Sequence, residues 1–411
     1  MTRIPRSHKP DPRDTVMASC IHCGLCAAHC GFLSGKPAPG RMAEAYETDP
    51  APYRQMAFSC SLCGLCTELC PKHLDLPGMF LAWRQEAVAK KAVDLTPYHG
   101  ILAYEQKGCS PLFSYYHLPE HCDTVFFPGC TLTGTRPIST MKTYEYLTSR
   151  IPRIGMVLDC CTKPSRDLGR NDFFTAMFTE MCTYLTGHGV CRVITACPSC
   201  HALFSTQGPF TATSIYELMA DHPETLPAVN CRDAGPSGLQ AVIQDPCQSR
   251  KDRACQKAVR ALAKQAGVDQ IPLKASGTHT LCCGEGASVG RIHPGLATAW
   301  TMKRKKAAGG HTALTYCAGC VSIHGSGAIH LLDLVFDPSG KGNYKAARPP
   351  FTYLNRLRVK QKIKALPSAH SRIRRFFYKD KPHRPGSRCL AAGLVLLTVT
   401  LLAGWLALGS P

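Results

Sequence analysis

The chain has 411 residues, more than one compact core usually holds, so two or three domains are expected. Its 25 cysteines, behind an opening stretch with no apolar run for a signal peptide, set aside a secreted disulfide scaffold in favour of metal or redox chemistry in a reducing compartment. The net charge of +20 suits a nucleic-acid binder at first sight, but fifteen Lys/Arg against one acidic residue, Asp380, fall within 341–388; the excess is local and no nucleic-acid partner is expected.

Residues 15–90 hold eight cysteines in two groups: Cys20, Cys23, Cys26 and Cys30, then Cys60, Cys63, Cys66 and Cys70 followed by Pro71. Three thiolates at x2 spacing wrap one turn of chain around a cubane, and a helix carries the fourth to the other cluster. This assigns Cys20, Cys23, Cys26 and Cys70 to one [4Fe–4S] cluster and Cys60, Cys63, Cys66 and Cys30 to a second. Gly24 and Gly64 are expected to let the backbone pass close to the inorganic sulfides. Zinc ribbons also use Cys-x2-Cys pairs, but a repeated quartet favours clusters.

A Pro/Gly/aromatic connector over 91–122 leads into an internal repeat. The first unit has Cys130, the adjacent pair Cys160-Cys161, then Cys197 and Cys200. The second has Cys247, the pair Cys282-Cys283, then Cys317 and Cys320. Short buried strands are predicted before these cysteines, at 124–127, 156–158 and 190–195 and at 239–243, 278–281 and 312–315. Helices are predicted between them, at 173–185 and 253–266. Strand–helix–strand order implies parallel sheets with ligands at the carboxyl ends of strands. Five cysteines exceed the four of a cubane, so the extra thiolate bridges irons, stays free, or marks another cluster type. Both members of an adjacent pair serve one centre only if the chain turns there; Gly284 suits that turn better than Thr162.

These residues resemble the cysteine-rich (CCG-domain) proteins that include the CCG-bearing component of heterodisulfide reductase and the iron–sulfur subunits of anaerobic glycerol-3-phosphate dehydrogenase and glycolate oxidase. The similarity rests on Phe127-Pro128-Gly129-Cys130, Cys160-Cys161-Thr162-Lys163-Pro164, Cys197-Pro198-Ser199-Cys200, Asp245-Pro246-Cys247, Cys282-Cys283-Gly284-Glu285-Gly286 and Cys317-Ala318-Gly319-Cys320, and covers about 15–335. It implies a mostly helical two-cluster ferredoxin-like domain (15–90), then two α/β CCG domains (123–230 and 231–340). One or two noncubane [4Fe–4S] clusters are implied at the CCG sites, the first formed by Cys130, Cys160, Cys161, Cys197 and Cys200. In the reductase such clusters cleave a disulfide; in the other proteins the domains resemble relays toward a quinone. Thr162 in place of the usual glycine predicts a weaker first site, which leaves Cys247, Cys282, Cys283, Cys317 and Cys320 as the expected catalytic set.

The basic segment 341–388 includes a predicted surface-lying amphipathic helix over 351–366. It runs into twenty uncharged residues, 389–408, about 30 Å of helix and one hydrocarbon thickness. A C-terminal transmembrane helix is expected, with the bulk of the chain on the cytoplasmic side of the inner membrane and the basic belt against anionic headgroups. The remaining cysteines, Cys109, Cys122, Cys182, Cys191, Cys231, Cys255 and Cys389, read mostly as small core residues, with Cys389 a candidate for acylation. His22, His29 and His201 neighbour ligands and could tune clusters. Lys163 and Arg250 could attract an anion or simply face solvent. No Gly-x-Gly-x-x-Gly is present, so a flavin would lie on a partner. Two functions fit: a membrane-anchored oxidoreductase subunit with thiol/disulfide chemistry, or a non-catalytic relay between a flavoprotein dehydrogenase and a quinone or membrane redox partner.

Overall fold

A computed structural model describes residues 10–226, 239–337 and 346–374. After Cys20 and again after Cys60, the chain brings three thiols round one point with the same pair of left-handed residues. These are His22 (φ 56°) and Gly24 (φ 76°) in the first loop, and Leu62 (φ 51°) and Gly64 (φ 77°) in the second. Glycine adopts this left-handed conformation without strain, and Gly24 lines the hollow formed by the first quartet. Six helices frame these loops: α1 (Pro12–Ser19), α2 (Leu25–His29), α3 (Pro39–Thr48), α4 (Pro50–Ala57), α5 (Leu65–Leu69) and α6 (Leu76–Ala89). Their core holds Val16, Phe32, Met42, Phe80 and Trp83, with Tyr46 stacked on Trp83 at 4.5 Å.

The stretch expected to be a bare connector carries helix α7 (His99–Cys109) and strand β1 (Tyr115–Leu118). The first α/β unit then runs β2 (Thr124–Phe127), α8 (Cys130–Thr135), α9 (Pro137–Thr148), β3 (Gly155–Leu158), α10 (Lys163–Asp167), α11 (Asn171–Gly187), β4 (Arg192–Thr195), α12 (Pro198–Gln207), β5 (Thr211–Ser214) and α13 (Ile215–Asp221). The second runs β6 (Leu239–Ile243), α14 (Arg253–Gln265), β7 (Val268–Ile271), α15 (Pro294–Ala307), β8 (Thr312–Thr315), α16 (Ala318–His324), β9 (Ala328–His330) and α17 (Leu331–Phe336). Helix α18 (Phe351–Lys364) and strand β10 (His370–Arg372) complete the described chain.

The sheets make the duplication plain. The first has order β10-β1-β3-β2-β4-β5 and the second β7-β6-β8-β9, so the parallel block β3-β2-β4-β5 repeats as β7-β6-β8-β9. All pairings within those blocks are parallel; β1 joins antiparallel to β3 and β10. One core crosses both units, with Phe126, Met156 and Ile194 packed in the same cluster as Ile243, Leu314 and Leu331. The buried pair Arg136–Asp333, at 2.7 Å, also ties the repeats together.

Residues 278–281 are not a strand. Their carbonyls are taken by a guanidinium instead of a ladder: Arg250 donates to Thr278 O and, at 2.7 Å, to Thr280 O. The strand position belongs to the more polar Val268–Ile271, on the sheet edge. Helix α18 forms as expected, but its inner face is docked on the body. Lys360 donates to Pro111 O at 2.6 Å and Asn355 to Gly134 O at 2.9 Å, while Phe351 and Leu354 face outward. Arg374, further along the basic segment, is fully buried and ion-paired with Asp159 at 2.9 Å. Part of the basic belt is therefore structural and unavailable to headgroups. The expected span 389–408 lies outside the described residues; among the described residues no helix is long and apolar enough to cross a membrane.

Candidate metal centres

The crossing of the two quartets is visible in the fold. Cys20, Cys23, Cys26 and Cys70 line one hollow together with Pro39, Leu74 and Leu76. Short helix α2 carries Cys30 away to become an electrostatic neighbour of Cys60 and Cys66. Burial pushes the Cys60 thiol up to about 12, so without a cation nearby Cys60 would stay protonated. Four converging thiols left free rather than paired as disulfides fit an iron–sulfur cubane.

Five of the eight strands in the two parallel blocks run on to a cysteine at their carboxyl ends: β2 to Cys130, β3 to Cys160, β4 to Cys197, β6 to Cys247 and β8 to Cys317; Cys282 is reached instead through the non-strand stretch 278–281. In the second site Cys282 hydrogen-bonds with Cys247 and Cys283, and Cys283 with Cys320, which in turn pairs with Cys317. In the first, Cys160 pairs with Cys130 and Cys161, and Cys161 lies 3.4 Å from Cys200, which pairs with Cys197. The two constellations match sulfur for sulfur. Hydrogen bonds from Cys282 and Cys320 pull Cys283 down to about 5, and those from Cys160 and Cys200 pull Cys161 well below the ordinary thiol range. Cys282 and Cys317 in the second site and Cys130 in the first are lowered as well, so each site holds more than one readily ionised thiol, a donor set suited to iron.

Thr162 does not prevent the turn. It adopts the left-handed conformation itself (φ 55°), where Gly284 takes φ 96°, and the Cys160-Cys161 pair converges on the other three cysteines all the same. The cost is the strain of a β-branched residue at positive φ, about 1–2 kcal/mol. Gly129 (φ 85°) answers a different need, since a Cβ there would stand 2.9 Å from Cys197 Cβ.

The ferredoxin-like part is joined directly to the second site. Cys63 is a side-chain neighbour of Cys282. Arg250, 3% exposed, donates to Cys63 O at 3.1 Å with the same guanidinium that holds the loop before Cys282. Arg250 is therefore neither a solvated side chain nor free to greet a substrate. Arg84, fully buried, does similar work toward the first unit, donating to Ala57 O at 3.0 Å and Asp167 O at 2.6 Å. Lys163 pairs with Asp167 and its charge reaches both Cys161 and Cys247. His22 and His29 are exposed, whereas burial lowers His201.

Residues that spacing could not reveal also stand at the first site. Cys109, on α7, is a side-chain neighbour of Cys160. Tyr104, on the same helix, pairs with Cys130, and Arg356 of α18 lies over the Tyr104 ring at 5.6 Å. Glu105 is buried, accepts from Ser165 N at 2.9 Å, and is pushed up to about 7 by burial. Cys122, Cys182 and Cys255 are core residues as expected, Cys191 is exposed, and Cys231 and Cys389 lie outside the described residues.

Comparison with known proteins agrees with this construction. Residues 16–74 match the 4Fe-4S dicluster domain, and residues 124–205 and 241–322 each match the cysteine-rich CCG domain. The chain is 22% identical over 344 residues to one of the subunits of a fumarate reductase (CoM/CoB) of Methanothermobacter marburgensis, covering 74% of this chain and 66% of that protein. It is 22% identical over 315 residues to an uncharacterized iron–sulfur protein of Methanococcus maripaludis, covering 68% of this chain and 61% of that one. The chain thus spans less than two thirds of the length of these relatives. With a dicluster fold, two matched five-cysteine sites and these relatives in view, the chain belongs to the CCG-domain iron–sulfur proteins and is an electron-transfer protein of [4Fe–4S] clusters.

Proposed function

We propose that this chain is an oxidoreductase subunit in which electrons pass between the ferredoxin-type clusters and a CCG centre that makes or breaks a thiol/disulfide bond. Cys20, Cys23, Cys26 and Cys70 hold one cluster; Cys60, Cys63, Cys66 and Cys30 hold the other. Cys247, Cys282, Cys283, Cys317 and Cys320 form the reacting centre. The observation that carries this reading is that Cys63 is a direct side-chain neighbour of Cys282, which leaves no protein layer between the second quartet and the second CCG site. A cluster bound there supplies one-electron steps to a cleavage that needs two electrons. The overall change is R–S–S–R′ plus two electrons and two protons giving two thiols. Arg250 keeps the junction in register; contact with Cys282 and burial push the Cys247 thiol well up, and the charges of Arg250 and Lys163 only partly oppose that. The relative named as part of a reductase supports a protein partner for this chain.

A relay toward a flavoprotein or quinone is the second reading. Its support is the depth of the second site, where Cys282, Cys283 and Cys320 are at most 4% exposed. A single assay separates the two. Anaerobic full-length protein is supplied with a reduced viologen dye and challenged with a panel of disulfides or with a quinone analogue. The reductase reading expects two thiols formed per two electrons consumed. Turnover with the quinone and none with any disulfide would select the relay.

We also propose that residues 389–408 anchor the chain in the inner membrane, with its bulk in the cytoplasm. The support is the uncharged run itself, together with the outward face of α18, where exposed Phe351 and Leu354 are followed by exposed Arg358 and Lys362. Deleting residues 389–411 should move the protein from the membrane to the soluble fraction, with salt-sensitive residual binding. Full-length protein that is soluble without detergent would refute the anchor.

A further inference from the structure

The sulfur-for-sulfur match between the two CCG sites extends one atom beyond the repeat. Cys130, Cys160, Cys161, Cys197 and Cys200 correspond to Cys247, Cys282, Cys283, Cys317 and Cys320. The leading member of each adjacent pair has one more sulfur neighbour, from outside its own unit. At the second site Cys63 of the ferredoxin-like part stands on Cys282. At the first site Cys109 of α7 stands on Cys160. The two extra cysteines come from unrelated segments and share no motif, yet they meet equivalent sulfurs. Cys63 belongs to a cluster quartet, whereas Cys109 has no other cysteine of a quartet beside it in sequence.

The surroundings of Cys109 are built for this approach. The thiol is 4% exposed. The preceding residue is Gly108, and a Cβ there would lie 3.1 Å from Cys160 Cβ, so the bare backbone brings α7 down onto the pair. Arg356 donates to Gly108 O at 3.4 Å from the docked α18. One turn earlier Tyr104 pairs with Cys130, and Glu105 is fastened to Ser165 at the start of α10. Helix α7 is thereby held over the first site at three points, and Cys109 is the group it delivers to the sulfurs. A cysteine that only filled the core would need no such bracing; Cys182, buried among Phe178, Met181 and Leu185, has none of it.

We propose that Cys109 is a sixth cysteine ligand of the first CCG centre, binding iron with release of its thiol proton. It would give the two CCG centres different ligand sets: five thiolates at the second, five plus Cys109 at the first. The proposal rests on the reading of the first CCG site as a cluster site.

The test uses anaerobic full-length protein and four variants: Cys109→Ser, Cys109→Ala, Cys161→Ser and, as a buried-cysteine control, Cys182→Ala. Iron and acid-labile sulfide per chain are measured with the electron paramagnetic resonance spectrum of the oxidised protein. Cys161→Ser, which removes a ligand of the repeat itself, defines the first-site contribution. Cys109→Ala is expected to lose at least half of that iron, and Cys109→Ser to retain more of it with shifted g values, since serine offers a harder oxygen donor of nearly the same size. Ferredoxin-type signals and the Cys182→Ala spectrum should stay at the parent level. If Cys109→Ser keeps both the parent iron content and the parent spectrum while Cys161→Ser does not, Cys109 is a core residue and the proposal fails. If Cys161→Ser also matches the parent, the first site holds no cluster, and the underlying reading fails together with the proposal.

Discussion

Cys283→Ser should abolish the second CCG centre while leaving both ferredoxin-type clusters reducible. Cys283 is lowered to about 5 by its neighbours Cys282 and Cys320, and it is 4% exposed. Serine keeps the shape but offers an alcohol that is far harder to ionise and poorly matched to iron–sulfur clusters. The eight quartet cysteines are untouched, so the cubane signals serve as an internal control for folding. The oxidised-state signal of the second centre should vanish, and disulfide-dependent turnover should fall by at least a hundredfold. Cys161→Ser is the matched comparison. Because Thr162 makes the same turn as Gly284, it should remove its own centre just as fully. Its effect on turnover should be smaller, since among the described cysteines of the two CCG sites Cys282 is the one paired with a quartet cysteine. Both measurements need only anaerobic protein, iron analysis and paramagnetic resonance. Turnover of Cys283→Ser at the parent rate would remove the second CCG site from the path.

The second large effect is expected far from any cysteine motif. Arg374→Met should destabilise the first unit by about 3–5 kcal/mol, the usual cost of breaking a buried ion pair from one side. Arg374 and Asp159 are both fully buried and paired at 2.9 Å; the same guanidinium donates to Tyr116 Oη and to Met177 O, each at 3.2 Å. Asp159 in turn accepts from Cys160 N at 2.7 Å, so the network sets the backbone from which the cysteine pair leaves β3. Without Arg374, the Asp159 carboxylate is left buried with a phenol and an amide for partners. The expected result is a lower thermal midpoint of the anaerobic protein together with faster loss of first-site iron. Adding Asp159→Asn should recover part of the loss, because it removes the stranded charge. A midpoint equal to the parent's would show that β10 and Arg374 do not hold the sheet edge.

Ligand geometry was far more legible in the sequence than tertiary neighbours. The quartets could be read because chelation constrains residues only two or three positions apart, and the crossing of Cys30 and Cys70 follows from the short helix after each loop. The repeat was legible because most of its apolar runs lead to a cysteine, and β2, β6 and β8 fall where those runs placed them. Strand β7 was missed because an edge strand reading Val-Asp-Gln-Ile has little apolar signal, whereas 278–281 looks like a strand until Arg250 takes its carbonyls. The junction of Cys63 with Cys282 and that of Cys109 with Cys160 join residues far apart in the chain, and no spacing rule reaches them. Arg374 was hidden for a different reason: inside a run of cations it reads as solvated, and only the antiparallel pairing of β10 with β1 carries it into the core. Thr162 is the opposite case, a local departure that the fold tolerates at modest strain.

The central claim is that the second quartet and the second CCG centre form one continuous electron path at Cys63 and Cys282. Spin coupling tests it most directly, because two paramagnetic clusters that close broaden or split each other's resonance. In protein poised so that the second ferredoxin-type cluster is reduced and the second CCG centre is paramagnetic, a split, fast-relaxing signal is predicted. That splitting should collapse to an ordinary isolated-cluster spectrum in Cys283→Ser and persist in Cys161→Ser. An unsplit signal in the parent, or splitting that survives Cys283→Ser unchanged, would contradict a continuous path.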